Sequence, residues 1–321
     1  MKKVVAIGGG SGLATLLRSI RDYPLEISAI VTMTDDGKST GRLRKDMAIL
    51  PPGDIRKCIA ALSDHEDLLI ELFQYRFRKG AGLRGHSLGN LLITAAEDIY
   101  GNFELGVEGI CELFSTKGRV IPSTLDDIHL LAEFDGKKTV KGESSITKYG
   151  YKNKISTIRL DREVLANPEA VQAITEAQYI LVGPGSLYTS LLPNFLLKGV
   201  IEAYKSSKAR KIFVCNVSTE RGETDNFSVQ DHLGAMGRYG VSFDFAIYNN
   251  KKFKEGSGDG FVVPVRFDKK QIGCEAVGLD LINLNNPLYH DIEKLGNEIW
   301  HLLANASAGR KSLFGGKLVL K

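Results

Sequence analysis

Val4-Val5-Ala6-Ile7-Gly8-Gly9-Gly10-Ser11-Gly12-Leu13-Ala14-Thr15-Leu16-Leu17-Arg18 runs from an apolar segment through a glycine turn into a helical pattern. Strand, glycine turn and helix in that order are how a doubly wound α/β domain holds a phosphate. Residues without a Cβ let the backbone turn tightly and approach an anion. The free N–H groups and dipole of the helix start favour its negative charge. Position 13 is Leu, so the stretch is not G-x-G-x-x-G, and its residues also read as a tight turn that holds nothing.

The 321 residues leave room for a large buried core. With 42 basic and 38 acidic residues the net charge is +4. That is a mixed solvated surface, and no nucleic-acid partner is expected. No apolar stretch is long enough to span a bilayer. The first apolar run stops at glycine after four residues, which reads as a first strand and not a signal peptide. Cys58, Cys111, Cys215 and Cys274 lie far apart, without metal spacing or a dense disulfide pattern. A reducing, cytoplasmic setting is expected from this.

Outward from the first turn, residues 27–33 read as a second strand. It leads into Thr34-Asp35-Asp36-Gly37-Lys38-Ser39-Thr40-Gly41-Arg42-Leu43-Arg44, read as a polar loop. Asp35 and Asp36 sit where a Rossmann unit places its ribose-binding acid. Paired carboxylates also suit a divalent cation such as Mg, and Asp with Gly also makes plain turns. Arg42 and Arg44 offer forked donors to phosphate. Asp54 reads either as the cap of a helix starting near Ile55 or as a ligand contact. One helix is expected over 55–77, with Ile59, Leu62, Leu69, Leu72 and Phe73 in the core. His86 and Asn90 are four apart and would share a helix face. A buried histidine satisfied by a neighbour is the alternative.

Residues 119–160 change texture and read as a β-rich insertion, with a hairpin turn at Asp135-Gly136. A helix over 166–177 and a strand over 179–182 then precede a second glycine turn, Gly183-Pro184-Gly185-Ser186. Further strands are expected over 211–215, 243–248 and 261–265, and a helix over 289–303. Trp300 reads as packing, and the basic tail 309–321 carries no clear chemistry. No linker, repeat or low-complexity tract divides the chain. One α/β domain over 1–321 is expected, doubly wound around a mostly parallel sheet. Ligands bind at the carboxyl ends of such strands. The loops 8–12, 34–42, 183–186 and 216–225 would meet there. The candidate ligand-binding residues are Gly8, Gly9, Gly10, Ser11, Gly12, Leu13, Asp35, Asp36, Ser39, Arg42, Asp54, His86, Asn90, Gly183, Gly185, Ser186, Asn216, Thr219 and Asp225. No nucleophile–base pair is legible, and Ser186 is not in a G-x-S-x-G elbow.

The segments at 8–13, 34–44, Pro51-Pro52-Gly53-Asp54-Ile55-Arg56, Gly85-His86-Ser87-Leu88-Gly89-Asn90-Leu91, 183–190 and Gly222-Glu223-Thr224-Asp225 together resemble the gluconeogenesis-factor family. That family lies within the 2-phospho-L-lactate transferase-like group. The resemblance spans about residues 4–305 and implies a Rossmann-like fold. Its transferase branch uses a guanine-nucleotide-linked phospholactate, a deazaflavin acceptor and a divalent metal, for which Asp35, Asp36 and Asp54 are the candidate ligands. Its gluconeogenesis-factor branch, which the Gly-Gly-Gly-Ser-Gly and Gly-His-Ser-Leu-Gly-Asn forms favour, implies a cytoplasmic regulatory protein. Such a protein binds UDP-sugars such as UDP-N-acetylglucosamine, without an established catalytic activity or cofactor. It is tied to gluconeogenic growth, cell shape and wall synthesis. A regulatory protein partner and a homo-oligomer are compatible with it. Lys38 stands where the family usually has glycine and Arg221 where proline is common, which bears on ligand preference.

Overall fold

The computed structural model describes residues 1–65, 67–136, 138–252, 262–268, 273–305 and 319–320. The chain alternates as the sequence reading expects. β1 (Lys2–Gly8), α1 (Gly10–Ile20) and β2 (Leu25–Val31) come first. The helices α2 (Lys38–Met47), α3 (Pro52–Leu62), α4 (Asp67–Gln74), α5 (Leu88–Tyr100) and α6 (Phe103–Leu113) follow. Then come β3 (Arg119–Pro122), β4 (Leu130–Phe134), β5 (Lys138–Lys141), α7 (Glu143–Gly150), β6 (Ile155–Leu160), α8 (Pro168–Glu176) and β7 (Tyr179–Val182). A π-helical turn (Leu187–Leu191) runs into α9 (Leu192–Phe195) and α10 (Lys198–Ser206). The chain closes with β8 (Arg210–Val214), α11 (Val229–Arg238), β9 (Phe245–Asn249), β10 (Glu275–Leu279), α12 (Ile292–Asn305) and the short β11 (Val319–Leu320).

Eight strands form the main sheet in the order β11-β10-β9-β8-β7-β1-β2-β3. The pairs from β3 to β10 are parallel, and β11 joins β10 antiparallel. A parallel sheet is covered on both faces, so its central strands lack a polar side. β1 shows this: Val4 and Ala6 belong to one core, Val5 and Ile7 to the other. On the first face lie Leu13, Leu16, Leu17 and Ile20 of α1, with Ile55 and Ile59 of α3 and Leu295 and Ile299 of α12. The strand order reverses between β1 and β7, which sets a crevice at their carboxyl ends.

The expected β-rich insertion is divided between two sheets. Arg119–Pro122 is the edge strand of the main sheet, paired with β2. The rest is a three-stranded antiparallel sheet in the order β5-β4-β6, interrupted by helix α7. The Asp135-Gly136 turn does join β4 to β5.

Several readings are corrected. The helix expected over 55–77 is two helices. Ser63 leaves helical geometry, and its hydroxyl donates to the Phe114 carbonyl at 2.8 Å. Leu72 is 46% exposed and is not core. The loop after β2 winds into α2 from Lys38. The strand expected over 261–265 is not one among the described residues. Pro264, which has no N–H to donate, makes only an isolated bridge to Ser218, and Phe261 lies outside the described residues. The strand β10 takes its place in the sheet, unforeseen. The last helix starts at Ile292, because the Asp291 side chain accepts from Lys294 N at 3.0 Å and caps it there. Trp300 stacks on Tyr23 with ring centroids 5.3 Å apart. Of the tail, 309–318 and 321 lie outside the described residues. No helix among the described residues is long and apolar enough to cross a membrane.

Leu17 is fully buried between α1 and its neighbours. Leu17→Ala is expected to cost about 2–5 kcal/mol through lost burial and the cavity left behind. A shifted urea midpoint at unchanged slope would show it; an unshifted midpoint would mean that this face is not a packed core.

Candidate functional site

The carboxyl ends of β1, β7 and β8 open onto a cleft of about 560 Å³. One wall is the first glycine turn, from Gly9 to Gly12. Pro184, Gly185 and Ser186 form a second wall, and residues 216–221 a third. Lys57, Glu143 and His290 also reach it.

The first turn is held from below. Asp54 Oδ2 accepts from Gly10 N at 2.7 Å, and Asp54 Oδ1 accepts from Lys57 Nζ at 2.8 Å. Asp54 is buried in the first turn of α3, which starts at Pro52, so it does not cap that helix. It fixes the glycine loop. Gly10 has φ +64°, a left-handed conformation that favours glycine. Gly12 lies so close to the second turn that a Cβ would fall on the Pro184 carbonyl and 2.7 Å from Gly185 Cα. The N-cap of α1, Gly9, has no side chain, and Asp54 takes only the Gly10 N–H of the first turn. The first-turn N–H groups have no intrahelical acceptor, and Ser11 and Gly12 line the cleft.

The second turn is built differently. Asn216 braces it with a reciprocal pair, accepting from Gly185 N at 2.9 Å and donating to Gly185 O at 3.1 Å. The helical start that follows is already occupied by a carboxylate of the protein. Glu223 accepts from Tyr188 N at 3.1 Å, Thr189 N at 3.3 Å, Thr189 Oγ1 at 2.7 Å and Thr147 Oγ1 at 3.2 Å. Of the two expected phosphate cradles, the first keeps the Ser11 and Gly12 N–H groups for a ligand, Asp54 holding only Gly10 N, while Glu223 takes the start of the second.

Gly9, Gly10, Ser11, Gly12, Gly185, Ser186, Asn216 and Thr219 line the cleft. Gly8 ends β1, Leu13 is buried in the core, and Gly183 follows β7. The remaining candidates stand behind the cleft as scaffolding. Asp35 accepts from Gly37 N at 2.8 Å and Thr40 Oγ1 at 2.7 Å, which ties down the start of α2. Asp36 accepts from Ser144 N at 2.9 Å and so caps α7 from a distance. Arg42 donates to the Arg84 carbonyl at 2.7 Å. Asp225 accepts from Gly222 N at 2.7 Å. His86 and Asn90 do converge, but not across a helix face. His86 precedes α5, and Ser39 Oγ lies 3.2 Å from both His86 Nδ1 and Asn90 Nδ2. Arg56 Nε donates to Asn90 Oδ1 at 2.9 Å and completes this buried chain.

Asp35, Asp36 and Asp54 do not fit a divalent cation. Both oxygens of Asp35 and of Asp54 serve the bonds just given, Asp36 turns its Oδ1 to α7, and the Lys57 ammonium already neutralises Asp54. Among the described residues no group of three or more His, Cys, Asp or Glu side chains is arranged to hold a metal ion.

Lys57, Glu143, Glu220, Glu223 and His290 were not legible as site residues. Burial alone would lower the Lys57 ammonium, but Asp54, Asp35 and Glu143 outweigh it and hold its charge above the usual range. Burial, then Asp35 and Asp54, push Glu143 well above the carboxylate range. Burial, then Glu223, push Glu220 up to about 8, against a hydrogen bond from Ser186. Burial lowers His290 to about 4, so its ring is neutral, and it donates to the Cys215 carbonyl. These side chains come from α3, α7, the loop after β8 and the segment before α12, and only the fold collects them.

Residues 4–283 match the family model described as 2-phospho-L-lactate transferase CofD. A relative from Nostoc is 52% identical over 235 residues, 73% of this chain and 51% of its own length. The gluconeogenesis factor of Bacillus subtilis is 39% identical over 314 residues, 94% of this chain and 98% of its own. A crystal structure of a protein from Bacillus halodurans matches with a TM-score of 0.88 at 40% identity, covering 93% of this chain and 99% of that one.

Glu223→Ala strips four donors of their acceptor at once. A loss of about 3 kcal/mol is expected from orphaning such buried groups, with Glu223→Gln costing less because its amide oxygen still accepts. Urea unfolding measures both. Equal losses, or a loss for Ala within error of zero, would mean that the turn is held by something else.

Proposed function

The chain belongs to the gluconeogenesis-factor family, within the 2-phospho-L-lactate transferase CofD group, and from that premise we propose that it is a regulatory protein that binds a UDP-sugar. UDP-N-acetylglucosamine is the foremost candidate, and the protein acts by binding and not by turnover. The observation that carries this reading is the start of α1 at the strand-order reversal, where Asp54 holds the Gly10 N–H and the Ser11 and Gly12 N–H groups are left facing a cleft. A helix start with free N–H groups suits a diphosphate. The volume of about 560 Å³ falls within the range of small-molecule sites. Lys57 supplies a fixed positive charge beside the turn.

Binding without turnover fits the chemistry of the wall. Ser186 is the hydroxyl nearest to a nucleophile role, and its partner Glu220, pushed up to about 8 by burial and Glu223, is held mainly in its uncharged form near neutrality. A transferase activity would need a cation that Asp35, Asp36 and Asp54 do not accommodate. The role in gluconeogenic growth and cell shape, and a cytoplasmic location, rest on the family. A protein that signals by binding implies a partner that reads its ligand-bound form.

Calorimetric titration and thermal unfolding with UDP-N-acetylglucosamine, with and without magnesium, test the reading. A ligand at one hundred times its dissociation constant should stabilise the fold by about 2.7 kcal/mol. Gly10→Val should abolish binding while costing the fold at least about 1–2 kcal/mol of left-handed strain. The nucleotide should be recovered intact by mass spectrometry. Multiple turnover with magnesium, or wild-type binding by folded Gly10→Val, would overturn the reading.

A further inference from the structure

Among the described residues, the buried side-chain polar atoms without a partner that line the cleft include Glu143 Oε2 on the α7 side and, as a pair on the opposite wall, Glu220 Oε2 and His290 Nε2. Leaving such an atom unpaired costs stability, so each of the pair points to a partner that the protein alone does not supply. Glu220 and His290 sit on adjoining segments, because Ser218 Oγ donates to the Leu288 carbonyl at 3.0 Å and joins the Glu220 loop to the His290 stretch. His290 is 7% exposed. Its bond to the Cys215 carbonyl uses Nδ1–H, which leaves Nε2 as a lone-pair acceptor.

Resting on the UDP-sugar reading above, we propose that Glu220 and His290 read uncharged hydrogen-bonding groups of the ligand, with Glu220 Oε2 as donor and His290 Nε2 as acceptor. Neither atom suits phosphate. A neutral imidazole acceptor cannot pair with phosphate oxygens, and a protonated Glu220 brings them no positive charge. Groups that both donate and accept fit the pair. A nucleotide sugar has them at two places, on its hexose hydroxyls and acetamide and on its uracil. The phosphates then remain at the α1 start, on the first wall of the cleft.

The donor role requires a protonated Glu220. The ionisable groups that line the cleft with it are Glu223 and Arg221 of its own loop, Glu143 of α7, Lys57 of α3, Tyr289 and His290. Burial and Glu223 raise its proton affinity to about 8, well above the usual carboxylate value of 4.5. The sign follows: the donor is present below about pH 8 and is lost as pH rises through it. A dianionic ligand raises the affinity further, so binding takes up protons near neutrality.

Calorimetry with UDP-N-acetylglucosamine and with UDP, on the full chain, decides the matter. Wild-type affinity for the nucleotide sugar should fall about fourfold from pH 6.5 to pH 8.5, the loss expected for one essential proton near 8. Glu220→Gln keeps a donor that does not ionise, so it should bind like wild type at pH 6.5 and lose the pH dependence. Glu220→Ala and His290→Phe should bind roughly 2–10-fold more weakly, as for a lost hydrogen bond. If His290→Phe weakens the nucleotide sugar alone, the pair reads the sugar; if it weakens UDP as much, the pair reads the base. Circular dichroism confirms that each variant is folded, and Glu220→Gln carries the test if Glu220→Ala is not. Unchanged affinities in Glu220→Gln and His290→Phe, with the pH dependence intact in Glu220→Gln, would overturn this inference alone. A wild type that binds neither ligand would overturn the proposed function and this inference with it.

Discussion

The close approach of Gly12 to the Pro184-Gly185 turn is the constraint on which the rest of the site depends. A side chain at position 12 would occupy the space of that backbone. Its absence lets α1 start directly against the loop after β7, at the point where the strand order reverses. The cleft exists because two parallel strands diverge there into crossovers on opposite faces of the sheet. Asp54 then fixes the position of the turn from the α3 side, through one bond to the backbone and one to Lys57.

The electrostatics of the cleft follow from burial more than from net charge. Glu143, Glu220 and Glu223 are all pushed up by desolvation, and mutual repulsion adds to it. A chain that carried all of them ionised would repel any anion entering the cleft. Raised proton affinity favours the uncharged, hydrogen-bonding form of these carboxyls, while Lys57 keeps its charge because Asp54, Asp35 and Glu143 together outweigh the cost of burying it. Glu223 is spent on the helical start after β7, where four donors converge on it. That leaves the α1 start as the one of the two turns open to an external anion.

Much of this architecture was legible beforehand. The runs at 4–7, 27–33, 179–182 and 211–215 are strands of the parallel sheet, displaced by at most two residues at either end. Both glycine turns fall where their spacing placed them. What escaped the reading was non-local. Asp35 and Asp36 look like ligands because adjacent carboxylates suit a ribose or a metal, yet one ties down α2 and the other caps α7, more than one hundred residues away. The step at Ser63 escaped because helical periodicity continues across it, while the Phe114 carbonyl that draws its hydroxyl away belongs to the end of α6.

By itself the sequence determined the alternation of strands and helices, the two glycine turns and the polar ends of the strands. Each depends on short-range chemistry: apolar runs of β-branched residues, glycine where the backbone must turn, capping side chains at helix starts. Only the tertiary structure decided which polar residues became walls and which became braces. Whether a carboxylate meets a ligand or a backbone N–H depends on which distant helix start packs beside it. Whether Glu220 is charged depends on how much water the fold leaves it. Those are properties of the packed chain, because desolvation and hydrogen-bond satisfaction are settled only when segments far apart in sequence come together.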